Sequence, residues 1–179
     1  NWVAMTATVN TTWGSKVIVP GTGVPLNNQM DDFSIAAGIP NAFGLIGAEA
    51  NSVAGGKRPL SSMSPTIVLG PDQQPRLSCG AAGGPKIINT SLQIVVRCLD
   101  LDQPIDEAIA AARVHHQWAP NQLVHEPGLP QEIIDQLGKM GHSLKSIRAL
   151  AVAQGIQKQE QGLHSASDPR VESAAGAIN

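Results

Sequence analysis

Three segments carry side chains with chemical potential. Residues 27–34 set two carboxylates, Asp31 and Asp32, beside the amides of Asn27, Asn28 and Gln29, and residues 58–65 set Ser61 and Ser62 between Pro59 and Pro65. A carboxylate facing an ammonium makes a charge-assisted hydrogen bond, and paired hydroxyls can donate to a carboxylate, so together these groups suit the two charged ends of a small amino acid. The third segment, residues 78–86, places Gly83 and Gly84 just ahead of a helical pattern. Backbone N–H groups in that position can face a developing negative oxygen. Each segment alone has a plainer reading: an Asp-Asp pair as a solvated turn or helix cap, a Ser-Ser between prolines as a turn with its hydroxyls on the local backbone. Two carboxylates fall short of the oxygen count that calcium needs, so no metal is expected. The glycines do not make a phosphate cradle, because no Gly-Lys-Ser/Thr follows and Pro85 removes a donor.

The elements that must hold these groups are readable from periodicity. Residues 2–9 alternate, with Val3, Met5, Ala7 and Val9 on one side and Thr6, Thr8 and Asn10 on the other, which predicts a strand. A second short β-branched run at 16–19 is expected to pair with it. Residues 27–56 are rich in Gly, Ala, Asn and Pro without periodicity and read as a long ordered loop, of a length that is usually functional. Residues 64–69 and 76–79 flank a turn at 70–74 and predict a hairpin. Leu92, Val95, Val96 and Leu99 predict a helix capped by Asn89 or Thr90. Ile105, Ala108, Ile109 and Ala112 predict a second behind Pro104, with His115 and His116 near a helix end. Ile133, Ile134, Leu137 and Met140 predict a third between Pro130 and Gly141. Residues 144–153 and 157–165 read as two closing strands joined near Gly155. Strands, helices and strands again, without regular alternation, point to stacked antiparallel sheets with helices outside.

Composition bounds the rest. A chain of 179 residues suits one domain, 1–179, with a sizeable core. With only five Phe plus Trp and no Tyr, small side chains must fill much of that core. Twelve basic and fourteen acidic residues give a net charge of −2 spread along the chain, which excludes an electrostatic footprint for nucleic acid. No apolar run reaches the length of a membrane span. Cys79 and Cys98 lack a pairing motif and read as buried free thiols. The chain opens at Asn1, in the middle of its first strand pattern, so further sequence is expected upstream.

The three segments, in this order, together with Asn10-Thr11-Thr12, His115-His116-Gln117-Trp118 and Ala166-Ser167-Asp168-Pro169-Arg170, resemble the small-chain half of the gamma-glutamyltranspeptidase family. The resemblance implies an α+β fold, the four-layer αββα sandwich of N-terminal nucleophile hydrolases with two stacked antiparallel sheets. It also implies an N-terminal threonine that attacks gamma-glutamyl amides such as glutathione, forms an acyl-enzyme and passes the glutamyl group to water or an amine. That threonine would lie a little more than one strand upstream of Asn1.

By the same resemblance Thr8 supports the nucleophile, Asn10 and Gln29 contact the substrate, and Asp32 takes its α-amino group. Ser61 and Ser62 take its α-carboxylate, with an arginine from a large partner chain of the same precursor. Gly83 and Gly84 form the oxyanion hole, although Ala82 stands where the family commonly shows a proline. Phe43, within residues 40–44, falls on a lid over the glutamyl group. No cofactor is implied, the location implied is periplasmic or secreted, and the chain without its partner is expected to be inactive and to self-associate. Two alternatives stay open: an acylase of the same fold for glutaryl side chains, and a non-catalytic relative that binds an amino acid or serves in assembly.

Overall fold

The computed structural model describes residues 1–176. The chain forms two compact units, one of Asn1–Thr6 with Ser62–Asn179 and one of Ala7–Ser61. In the larger unit the order is β1 (Thr66–Leu69), β2 (Pro75–Ala82), α1 (Lys86–Leu99), α2 (Ile105–Ala110), β3 (Val114–His115), β4 (Leu123–His125), α3 (Gln131–Lys139), β5 (Leu144–Ser146), β6 (Val152–Gln159) and β7 (Gly162–Ser167). The architecture is therefore α+β with two sheets.

Strands β1-β2-β6-β7 form an antiparallel sheet, and β3-β4-β5 form a smaller one. The smaller sheet is mixed, which corrects the expectation of purely antiparallel pairing. Strand β4 runs parallel to β5 because the chain crosses through α3 between them, and a crossover returns the strand in the same direction.

The core lies between the first sheet and helices α1 and α2. Leu77, Cys79 and Ala81 point inward from β2 and meet Ile87, Ile94 and Cys98 of α1, Ile105, Ala108 and Ile109 of α2, and Ala151, Ala153 and Ala166. Five alanines and two cysteines among these twelve show the small-residue packing that the aromatic-poor composition implied. Both thiols are free and buried, and burial pushes each up to about 11, so they remain protonated and inert.

Four sequence expectations are corrected here. Helix α1 starts earlier than Asn89, at Lys86, because Pro85 at φ −62° is already preset for the first turn. Its buried line is Ile87, Thr90, Ser91, Ile94 and Cys98. Leu92, Val96 and Leu99 are exposed, since two buried hydroxyls rotate the inward face away from the purely apolar stripe. Gly155 is not at a turn but in the middle of β6, facing Cys79 of β2, where a Cβ would sit 2.8 Å from Ile105 Cδ1. His115 ends β3 rather than lying on a helix, and its ring bonds Asn89 Oδ1 and Gln117 Oε1.

The fourth correction concerns the first residues. Residues 1–6 alternate in exposure with Val3 and Met5 outward, but among the described residues no ladder partner makes them a strand. In the smaller unit the run at 16–19 does not pair with them. It folds back locally, Ile18 bridging Pro25, with Val19 N–H on Val24 O and Leu26 N–H on Val17 O.

The rest of the smaller unit is loop, as its composition implied. One 3-10 turn spans Gln29–Asp32 and another Glu49–Asn51. Phe33 and Ser34 are buried, and a parallel bridge joins Ser34 to Ser52.

Candidate active site

In the smaller unit, the segment at 8–11 is held against the turn at 28–32. Thr8 Oγ1 accepts the Asn10 N–H at 2.8 Å. Asn10 adopts φ 80°, a left-handed conformation that asparagine tolerates better than most residues. The two residues are thus joined by a hydrogen bond across a turn rather than by alternation along one strand face, as the sequence had implied.

Asn28 clamps the arrangement. Its N–H donates to Val9 O at 3.1 Å, its carbonyl accepts from Asn10 Nδ2 at 3.2 Å, and its Oδ1 accepts from Thr11 N–H at 3.1 Å. Its Nδ2 donates to Asp31 Oδ2 at 2.8 Å, so Asp31 acts on the loop itself.

Asp32 sits half-buried at the end of the same turn, with Gln29 Nε2 donating to its Oδ2 at 3.0 Å. Burial, and secondarily the charge of Asp31, pushes the Asp32 carboxyl above its ordinary value. The Gln29 amide must turn its NH2 toward the carboxylate, which leaves Gln29 Oε1 buried without a partner. A carboxylate in partial burial thus lies beside a carbonyl oxygen that has no hydrogen-bond partner among the described residues, and both are acceptors. An ammonium, which only donates, would satisfy both.

Asn51 lies behind Asp32. Its Nδ2 donates to Asp32 O at 2.9 Å, and its Oδ1 accepts from Leu60 N–H at 2.9 Å, immediately before Ser61 and Ser62. Ser61 is exposed and Ser62 half-buried. Phe43 is half-buried in a local turn: Asn41 Oδ1 accepts from both Phe43 and Leu45 N–H at 3.0 Å, and Pro40 bridges Ile46.

In the larger unit, Gly83 and Gly84 link β2 to α1 with φ 154° and 61°, conformations that favour glycine. A Cβ on Gly83 would lie 2.8 Å from Ala151 Cβ and 3.0 Å from its Cα. The stiffness that a preceding proline would lend comes here from packing. Ala82 is fixed opposite Val152 in the ladder, and Ala151, immediately before β6, closes on the glycine.

A buried ionic cluster in the same unit escaped residue-by-residue reading. Arg113, Glu126, Asp168 and Arg170 interlock: Arg113 donates to Asp168 Oδ2 at 2.8 Å, Arg170 to Asp168 Oδ1 at 3.0 Å, and Arg170 to both oxygens of Glu126. Arg97, Arg113 and Arg170 also cap the carbonyls at the C-terminal end of α2, from Ala108 to Ala112. Glu126 and Asp168 further accept backbone N–H groups of Leu150 and Ala153, and Arg113 donates to Ala151 O at 3.0 Å. The cluster thereby fixes the strand that packs on Gly83. Burial alone would raise both carboxyls; the guanidiniums and N–H groups override it and hold them below the usual carboxylate range. Only the motif at 166–170 hinted at this cluster, since its partners lie up to 55 residues apart.

Among the described residues no group of three or more His, Cys, Asp or Glu side chains is placed to hold a metal ion. Nor is any helix long and apolar enough to cross a membrane.

The sequence model of the family described as gamma-glutamyltranspeptidase matches residues 1–178. The chain belongs to the gamma-glutamyltranspeptidase family. The glutathione hydrolase proenzyme of Escherichia coli (strain K12) is 45% identical over 171 residues, which cover 95% of this chain and 29% of that protein. This chain therefore spans under a third of the length of that relative. Among solved structures, an acivicin-inhibited gamma-glutamyltranspeptidase is 42% identical with a TM-score of 0.90, over 97% of this chain and 94% of that one. The gamma-glutamyltranspeptidase from Pseudomonas nitroreducens complexed with L-DON is 38% identical with a TM-score of 0.91, over 100% of this chain and 94% of that one.

Proposed function

We propose that this chain is the small-chain part, residues 1–179 as one domain, of a longer protein that hydrolyses and transfers gamma-glutamyl groups from glutathione and related amides. In this reading an N-terminal threonine outside these residues is the nucleophile, and its acyl-enzyme passes the glutamyl group to water or an amine. Thr8 supports that threonine and Asn10 contacts the substrate. Gln29 and Asp32 take the α-amino group, while Ser61 and Ser62 take the α-carboxylate with an arginine of the large chain. Gly83 and Gly84 stabilise the tetrahedral oxyanion, and Phe43 belongs to a lid. No cofactor is needed for this chemistry.

The observation that carries the reading is the pair of acceptors at Asp32 and Gln29, one charged and half-buried, the other buried and unpartnered. It favours a gamma-glutamyl substrate over a glutaryl one, because a glutaryl group brings no ammonium and would leave both acceptors unsatisfied. Family membership, and a relative named as a proenzyme, support a precursor that is cut into large and small chains. Family membership likewise supports the four-layer αββα arrangement and a periplasmic or secreted location.

Full-length precursor tests the reading. It is expected to mature into two chains, release aniline from a gamma-glutamyl anilide, form a covalent glutamyl adduct on the new N-terminal threonine, and lose turnover in Asp32→Ala. Binding of glutamate without an adduct would favour the non-catalytic alternative, and faster turnover of a glutaryl anilide would favour the acylase.

A further inference from the structure

Substrate recognition as proposed needs two binding groups at a set separation. The α-amino and α-carboxylate groups of a glutamyl residue sit on one carbon, so the Asp32 carboxylate and the Ser61 hydroxyl, both in the smaller unit, must be held apart by a fixed amount. Asp32 and Ser61 are 29 residues apart in a unit with little regular structure, where short 3-10 turns, isolated bridges, local main-chain bonds and side-chain bonds fix the backbone.

Asn51 spans that gap. Its amide is planar, with the donor and the acceptor on a single carbon, so a hydrogen bond at one end constrains the other. Nδ2 donates to Asp32 O at 2.9 Å and lies 3.4 Å from Ser34 Oγ, while Oδ1 accepts from Leu60 N–H at 2.9 Å. The main chain of Asn51 adds a third tie, since its carbonyl accepts the Ser34 N–H at 3.0 Å. The amide orientation is not interchangeable: one end meets a carbonyl, which can only accept, and the other meets an N–H, which can only donate.

We infer that Asn51 is a positioning residue that sets the spacing between the ammonium-binding and carboxylate-binding ends of the glutamyl subsite, and so determines specificity for a donor that carries both groups. The inference rests on the proposed roles of Asp32 and Ser61–Ser62. Asn51 touches backbone of the binding segments and is not a catalytic residue.

Asn51→Asp, nearly isosteric, keeps the acceptor for Leu60 N–H but sets an oxygen against Asp32 O, releasing that end alone. In the matured full-length enzyme, with active sites counted by the acyl-enzyme burst, the KM for a gamma-glutamyl anilide is expected to rise about 10-fold or more while kcat stays within about threefold; misplacement at the ångström scale supports losses of that order. The sharper readout compares two competitive inhibitors. L-Glutamate carries both charged ends and glutarate lacks the amine, so the ratio of their inhibition constants is expected to rise about 10-fold in the variant. A residue that merely supports folding would lower the yield of active sites and leave this ratio unchanged.

Asn51→Ser, whose hydroxyl can reach only one partner, is expected to shift the ratio in the same direction and provides the test should the Asp variant fail to mature. An unchanged inhibitor ratio, or a fall in kcat with KM preserved, overturns the inference. A wild-type enzyme that turns over no gamma-glutamyl anilide and binds no glutamate removes the underlying reading, and the inference with it. An active wild type whose Asn51 variants keep the ratio removes the inference alone.

Discussion

At the residue scale, Asp32 sets stability against function. Burial and Asp31 raise its carboxyl above the ordinary value, so the folded state holds the proton more tightly than the unfolded chain does. An acid with a raised folded pKa loses stability as pH rises through the ordinary carboxylate range, which means that ionised Asp32 weighs against the fold at neutral pH. Asp32→Asn is therefore expected to leave the melting temperature unchanged or slightly higher, with Gln29 Nε2 still donating to the new amide oxygen, while kcat/KM on a gamma-glutamyl anilide falls by roughly 100-fold or more, the size of a lost charge pair. If Asp32 takes the substrate ammonium as proposed, kcat/KM in the wild type should fall with acid from a pH above the ordinary aspartate value, since that pairing needs the ionised form. A melting temperature that drops in Asp32→Asn would show the carboxylate to be structural. Asp32 stood out as a candidate in the sequence because the charge of a carboxylate depends on residue type alone, while Gln29 entered only through the resemblance. Asn28 and Asn51 were not, since an amide can serve any partner, and theirs are identified only by the fold, up to 19 residues away.

At the scale of elements, the hairpin β1–β2 and the existence of three helices were readable from turn residues and periodicity, whereas faces and pairings were not. The buried side of α1 includes Thr90 and Ser91, which an apolar count passes over, and Gly155 marks close packing on Ile105 rather than a turn. In both cases tertiary contact decided. The same logic bears on the link between β2 and α1. Gly83 has φ 154° and no room for a Cβ beside Ala151, so Gly83→Ala must displace the turn or the start of β6. The expected result is a destabilisation of about 1–3 kcal/mol together with a kcat lower by roughly 100-fold or more and a KM little changed, the pattern of a lost oxyanion donor. Denaturant unfolding and steady-state kinetics on the same preparation separate the two effects. A kcat near the wild-type value despite the lost stability would move the oxyanion site elsewhere.

At the scale of the whole molecule, the core is small and much of the apolar surface is outside it. The best-tied region is the ionic cluster: Glu126 and Asp168 titrate below their ordinary values, so the stability they confer is present above about pH 4 and is lost as pH falls through their lowered values. Acid unfolding should accordingly begin below about pH 4, and replacing Asp168 by Asn should flatten that limb. Elsewhere apolar side chains reach the surface. Ile88, Leu92, Val96 and Leu99 line the outward face of α1 at helical spacing, Val3 and Met5 are each 80% exposed on a segment without a ladder partner, and Ile35 is 81% exposed in the other unit. Single exposed apolar residues are ordinary, but a helix face and an unpaired extended segment that are both apolar mark surfaces made to be covered. In the proposed whole protein the large chain covers them. The separate 179-residue chain is then expected to self-associate, with a weight-average mass in sedimentation that climbs with concentration, and co-expression with the large chain should abolish the effect. Replacing Leu92 and Val96 by polar residues tests whether the α1 face contributes: the association should weaken while the core residues Ile87, Ile94 and Cys98, on the opposite face, stay undisturbed. A monomer at high concentration, without its partner and with these faces bare, would mean that they are tolerated in water and that the large chain binds elsewhere.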